Sequence, residues 1–148
     1  MKSIVFFNNK GGVGKTTLAC NVVSYLTMHR NKRVLFVDAD PQCNATQILL
    51  TEDEAEQIYA AGKSKSKTLY DYLSPVDNGE PQIDRAISPY LGTRNRFQTD
   101  LVPGHPKMST KIALAKHGRI SSVPMLAASV SRIGVVSSFQ RWLTGMTL

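Results

Sequence analysis

At 148 residues the chain is sized for a single domain with room for a buried core. It contains no apolar run of roughly 18 residues, which excludes a helical membrane span, and its N-terminal apolar stretch leads into a glycine-rich turn rather than a cleavage site, so no signal peptide is read and a cytoplasmic location is expected. The net charge of +7 is unevenly placed: residues 1–109 hold 13 Lys and Arg against 11 Asp and Glu, whereas residues 110–148 hold Lys111, Lys116, Arg119, Arg132 and Arg141 and no acid.

In chain order, Lys2 to Asn8 reads as a first strand. Its continuous Ile4-Val5-Phe6-Phe7 run is the pattern of a central parallel strand covered on both faces. The turn Asn9-Lys10-Gly11-Gly12-Val13-Gly14-Lys15-Thr16-Thr17 follows, with the Gly-Lys-Thr ending of a phosphate-binding loop. Glycine lets successive backbone N–H groups curl around an anion, and the helix behind the loop adds its unpaired N–H groups and dipole. The expected nucleotide-binding set is Lys10, Gly11, Gly12, Val13, Gly14, Lys15, Thr16 and Thr17. Lys15 would reach the terminal phosphates, and the Thr16 hydroxyl would ligate Mg²⁺, a hard ion that prefers oxygen.

The helix is expected from Lys15 to about His29, with Leu18, Val22, Tyr25 and Leu26 facing the sheet. A second strand, Arg33 to Asp38, ends in Asp38-Ala39-Asp40-Pro41-Gln42. Ligands of parallel sheets bind beyond the C-terminal strand ends, which places both carboxylates beside the loop. Asp38 is expected to hold the Mg²⁺ shell through water, and Asp40 to orient the attacking water. Further on, Gln47 to Leu50 continues a short helix. Thr51 caps an acidic helix with Glu54 closing a capping box. Residues 62–67 form a basic link, Leu69, Tyr72 and Leu73 point inward from a short helix, Ser74 to Gln82 is loop, and Asp100-Leu101-Val102 is a third strand before the Pro103-Gly104 turn. His105 reads as structural, and Cys20 and Cys43, lacking metal-ligand spacing, as free buried thiols.

Lys10 to Thr17 resembles the deviant phosphate loop of the ParA/MinD family of ATPases. Asp-Ala-Asp-Pro-Gln-Cys-Asn-Ala-Thr, residues 38–46, resembles the switch segment of ParA-type partition ATPases, with Cys43 in place of the usual Gly. The resemblance implies an α/β P-loop fold with a parallel sheet and flanking helices, binding of ATP and Mg²⁺, and slow ATP hydrolysis. It implies an ATP-dependent homodimer in which Lys10 reaches the partner's nucleotide, and Lys10, Lys15 and Asp40 as catalytic residues. It also implies a ParB-like centromere-binding partner, non-specific DNA binding, no membrane, and a role in plasmid or chromosome partitioning.

The resemblance covers residues 1–109 and is read as C-terminally truncated, since no later strand ends in the Walker B carboxylate. Residues 110–148 form an atypical basic tail. Reading the codons from the third base permits a string that restores acids and ends in Arg-Tyr-Asp, so the tail is taken as a frameshift product. A genuine basic tail is the alternative. The competing functions are a nucleotide-binding fragment without hydrolysis, and a small DNA-binding protein that uses the tail.

Overall fold

The computed structural model describes residues 4–6, 8, 10–60, 67–77 and 88–110. The expectations for Lys2, Phe7, Asn9, most of the basic link, residues 78–87 and the tail beyond Thr110 lie outside these residues. The element order is α1 (Lys15–Met28), β1 (Leu35–Val37), α2 (Asn44–Leu49), α3 (Glu52–Tyr59), α4 (Leu69–Asp77), a 3-10 turn (Gly92–Arg94) and β2 (Asp100–Val102).

β1 and β2 pair in parallel, with Leu35 opposite Asp100, Phe36 opposite Leu101 and Val37 opposite Val102. Alternation along the strands sends these pairs to opposite faces. Phe36 and Leu101 join Cys20, Ala45, Leu49, Leu50 and Ile58, from α1, α2, α3 and the residue after α2. Val37 and Val102 join Leu69, Tyr72 and Leu73 of α4 and Met108. The result is a three-layer α/β arrangement whose parallel strands point toward one end. Tyr90 bridges the outer edge of β2, exchanging both backbone bonds with Leu101.

Local chemistry sets the helix starts. Thr51 and Glu54 form the expected capping box: the Thr51 amide donates to Glu54 Oε2 at 2.8 Å, and the Glu54 amide to Thr51 Oγ1 at 3.3 Å. Thr68 and Asp71 repeat the device at α4, with Thr68 N and Oγ1 2.9 and 2.7 Å from Asp71 Oδ2. α4 runs on to Asp77, past the expected loop start at Ser74, and the short helix expected to continue through Gln47 to Leu50 is α2, from Asn44 to Leu49.

Two expectations are corrected. Among the described residues Ile4, Val5 and Phe6 belong to no ladder, and Ile4 is 67% exposed. A strand needs a neighbour to take its backbone groups, and no described residue supplies one there. The buried stripe of α1 is Ala19, Cys20, Val23 and Thr27, whereas Leu18 and Tyr25 are exposed and Val22 and Leu26 half-buried. The periodicity was sound but the face was rotated, because α1 packs toward α2 and the β1–β2 pair and Thr27 Oγ1 anchors it to the Phe97 carbonyl at 2.8 Å.

Candidate functional site

The glycine-rich turn delivers the chain into α1 through left-handed backbone. Gly12 has φ 72° and Gly14, the N-cap of α1, has φ 77° and ψ 13°. An L side chain at either position would be strained. Among the described residues, a Cβ built on Gly11, Gly12 or Gly14 meets nothing within 4 Å. No side chain caps α1, and its first turn holds no acid. The donors of the helix start and its positive dipole end have no acidic residue of α1 beside them, which suits an anion.

Lys15 and Thr16 are half-buried, and Lys10, Gly11, Gly12, Val13, Gly14 and Thr17 are exposed. Lys15 Nζ donates to Asp40 Oδ2 at 2.8 Å, the one ion pair among the described residues. Sequence residues 25 apart are thus brought together by the turn that follows β1. Lys10 instead turns its amide to Asn8 Oδ1 at 2.9 Å and makes no ion pair among the described residues. Thr16 makes no described hydrogen bond to either aspartate.

Asp40 sits in a turn closed by Cys43 N on Asp40 O at 2.9 Å and Gln42 N on Asp40 Oδ1 at 3.0 Å. Partial burial pushes its carboxyl up, but the bond from Lys15, the Gln42 amide and the lysine charge outweigh that and leave it below the usual range. Cys43 carries φ 55°, the left-handed conformation that a glycine would take without strain.

Asp38 points the other way. It is 3% exposed, and its Oδ2 accepts from Thr46 N at 2.8 Å and Thr46 Oγ1 at 2.7 Å. Its Oδ1 accepts the Asp40 amide at 3.2 Å. Burial raises its pKa, against these bonds, which lower it. Burial and the Asp38 charge push both the Cys20 and the Cys43 thiols up to about 11, and both are free, as expected. His105 lies against Tyr59 and Tyr70, with ring centroids 5.4 and 5.3 Å away, and accepts from the Lys107 amide on Nδ1, a packing role.

Among the described residues no three acids, histidines or cysteines form a metal cluster. The donor set fits Mg²⁺ bound by one hydroxyl, phosphates and water rather than by a protein cage. No helix among them is long and apolar enough to cross a membrane. Thr46 and Gly104 were passed over in the sequence. Thr46 ends the 38–46 segment, but its partner Gly104 is 58 residues away, and no local pattern marks that pairing.

A family model described as an AAA domain matches residues 1–130. The chromosome-partitioning ATPase Soj of Thermus thermophilus is 56% identical over 46 residues, 31% of this chain and 18% of that protein. Soj of Treponema pallidum is 41% identical over 73 residues, 49% of this chain and 24% of that one. A ParA family protein of Chlamydia pneumoniae is 31% identical over 103 residues, 70% of this chain and 33% of that one. The crystal structure of protein DIP2308 from Corynebacterium diphtheriae superposes with a TM-score of 0.68 and 45% identity, covering 84% of this chain and 43% of that one. The chain thus spans a third or less of these curated relatives.

Proposed function

The chain belongs to the AAA-domain family as a ParA-type partition ATPase of P-loop fold, and from that premise we propose that residues 10–17 bind ATP for a partitioning cycle. The observation that carries this reading is the Lys15–Asp40 pair at the start of α1. It joins the lysine of the phosphate loop to the carboxylate that would handle water at the γ-phosphate.

In this proposal Lys15 exchanges Asp40 for the terminal phosphates. The backbone N–H groups from Gly11 to Thr17 take the phosphate oxygens. Thr16 would hold Mg²⁺, and Asp38, just beyond β1, would support that shell through water. When bound, Mg²⁺ supplies charge neutralisation on the β- and γ-phosphates. Released Asp40 accepts a hydrogen bond from the attacking water and orients it. Lys10, exposed and unpaired among the described residues, reaches the nucleotide of a second protomer. Positioning and charge stabilisation then carry the reaction, which suits slow turnover. The output is segregation of plasmid or chromosomal DNA, with a ParB-like protein and non-specific DNA as partners.

A second reading is a nucleotide-binding fragment without turnover, and the exposed Ile4, Leu18 and Tyr25 favour it. The test is binding of a fluorescent ATP analogue to the purified chain with Mg²⁺, beside single-turnover hydrolysis and a Lys15→Ala control. Saturable binding lost in Lys15→Ala supports the nucleotide site, and hydrolysis above that control supports the ATPase. Binding without turnover selects the fragment reading. Binding that ignores Lys15→Ala sinks both. The division at Thr110 is part of the same proposal: resequencing the coding DNA across residues 109–148 should find the alternative frame open into an apolar strand ending in Asp.

A further inference from the structure

Thr46 is fully buried in α2 and ties together two segments distant in sequence. Its hydroxyl donates to Asp38 Oδ2 at 2.7 Å and accepts from the Gly104 amide at 2.9 Å, while its own amide donates to the same Asp38 oxygen at 2.8 Å. A hydroxyl offers one hydrogen and two lone pairs, so one group fills both roles. Serine could do the same, and valine could do neither. The bonds continue: Asp38 Oδ1 takes the Asp40 amide at 3.2 Å, and the Asp40 carboxylate takes Lys15 at 2.8 Å. An unbroken series therefore runs from Gly104, at the exit of β2, through Thr46, Asp38 and Asp40 to the lysine of the phosphate loop.

The junction has no slack at the Gly104 end. A Cβ there would lie 3.0 Å from Cys43 Sγ, 3.1 Å from the Asp38 carbonyl oxygen and 3.2 Å from Asp38 Cγ. The N-cap residue of α2, left-handed Cys43, offers no side-chain cap, and the Asp38 carboxylate takes the Thr46 amide in the first turn instead.

We propose that Thr46 is a positioning residue, which fixes the Asp40 carboxylate against Lys15 through Asp38 and makes the β2 exit part of the same rigid unit. Its consequence for nucleotide rests on the proposed ATP site, but the placement of Asp40 does not. Amide hydrogen exchange on the chain without nucleotide tests the placement. Thr46→Val should speed exchange at least tenfold at the Gly104 amide and also at the Asp40 amide, which Thr46 does not touch. Thr46→Ser should stay within twofold at both, and the amides of Cys20 and Val23 in α1 should not change in either variant. An Asp40 amide as protected in Thr46→Val as in the parent overturns the proposal, as does equal loss in Thr46→Ser. If Thr46→Val does not fold, the parent chain decides: Asp40 and Gly104 amides should exchange within a factor of about three of each other, and a tenfold disparity overturns the common unit.

A mutant cycle adds a readout that simple destabilisation would not give. Thr46→Val should shift the Kd of the fluorescent ATP analogue at least threefold when Asp40 is present and not at all in an Asp40→Asn background. Equal shifts in both backgrounds overturn positioning through Asp40. A chain that binds the analogue in no background sinks the ATP site, and the exchange result still decides the role of Thr46.

Discussion

The Lys15 ammonium and the Asp40 carboxylate stand 2.8 Å apart, so the lysine that the loop would offer to a phosphate already holds a carboxylate. The two groups are about a quarter exposed, 29% and 26%, so solvent screens the pair and its strength is in the range of about 0.2–1 kcal/mol. Asp40→Asn should therefore tighten ATP binding by up to about fivefold while abolishing hydrolysis. Lys15→Ala should weaken binding by about ten- to a hundredfold, the cost of one charge-assisted hydrogen bond. Titration of a fluorescent ATP analogue checks both, and weaker binding by Asp40→Asn would show that the two groups do not compete.

Cys43 invites a comparison that runs against habit. Replacing a residue by glycine rather than alanine usually costs stability through chain entropy. At φ 55° alanine keeps the left-handed strain of about 1–2 kcal/mol, and glycine releases it. Both lose the buried thiol. Cys43→Gly should accordingly be at least as stable as Cys43→Ala, judged by urea midpoints. A markedly less stable glycine variant would mean that the turn carries no strain. In the folded parent chain, both thiols should resist a thiol reagent at pH 8, since each is buried and raised to about 11.

The capping box of α3 should give the protein an acid-sensitive component. Slight burial pushes Glu54 up, but bonds from the Thr51 amide, the Tyr90 hydroxyl and the Thr51 hydroxyl leave it below the usual glutamate range. A carboxyl lowered on folding adds stability above its unfolded value of about 4.3, and that stability disappears as pH falls through the folded value. Glu54→Gln should lower stability at pH 7 and converge on the parent in acid, so the difference between the two urea profiles should close below about pH 4. A difference that stays constant with pH would show that the Glu54 charge is idle. Thr51→Ala should cost about 1 kcal/mol at neutral pH.

What the sequence made legible was local. Thr51 and Glu54 lie three residues apart, and Leu69, Tyr72 and Leu73 fall on one helical face, so pattern alone placed them correctly. The start of α1 at Lys15 and the strands at Leu35–Val37 and Asp100–Val102 followed from glycine and apolar runs. The rule that sites sit beyond parallel strand ends put Asp40 beside the loop, but its 2.8 Å pairing with Lys15 was not read from the sequence. The rest depends on partners remote in the chain. Nothing near Thr46 signals Gly104. The inward turn of Asp38 depends on a hydroxyl eight residues on, and its sequence context fits an outward-facing acid equally well.

The face of α1 is the sharpest case, and it yields a direct test. Spacing shows that Leu18, Val22 and Tyr25 share a side, but not which neighbour covers it. In the structure Leu18 is 58% exposed, and Val23, on the other side, is 7% exposed. Truncating an exposed leucine removes little buried area, so Leu18→Ala should change stability by no more than about 0.5 kcal/mol. Val23→Ala removes buried methyl groups and should cost about 1–3 kcal/mol. Paired urea denaturation of the two variants decides the orientation of the helix. A larger loss for Leu18→Ala than for Val23→Ala would restore the face first read from the periodicity, with a further layer of protein lying over it.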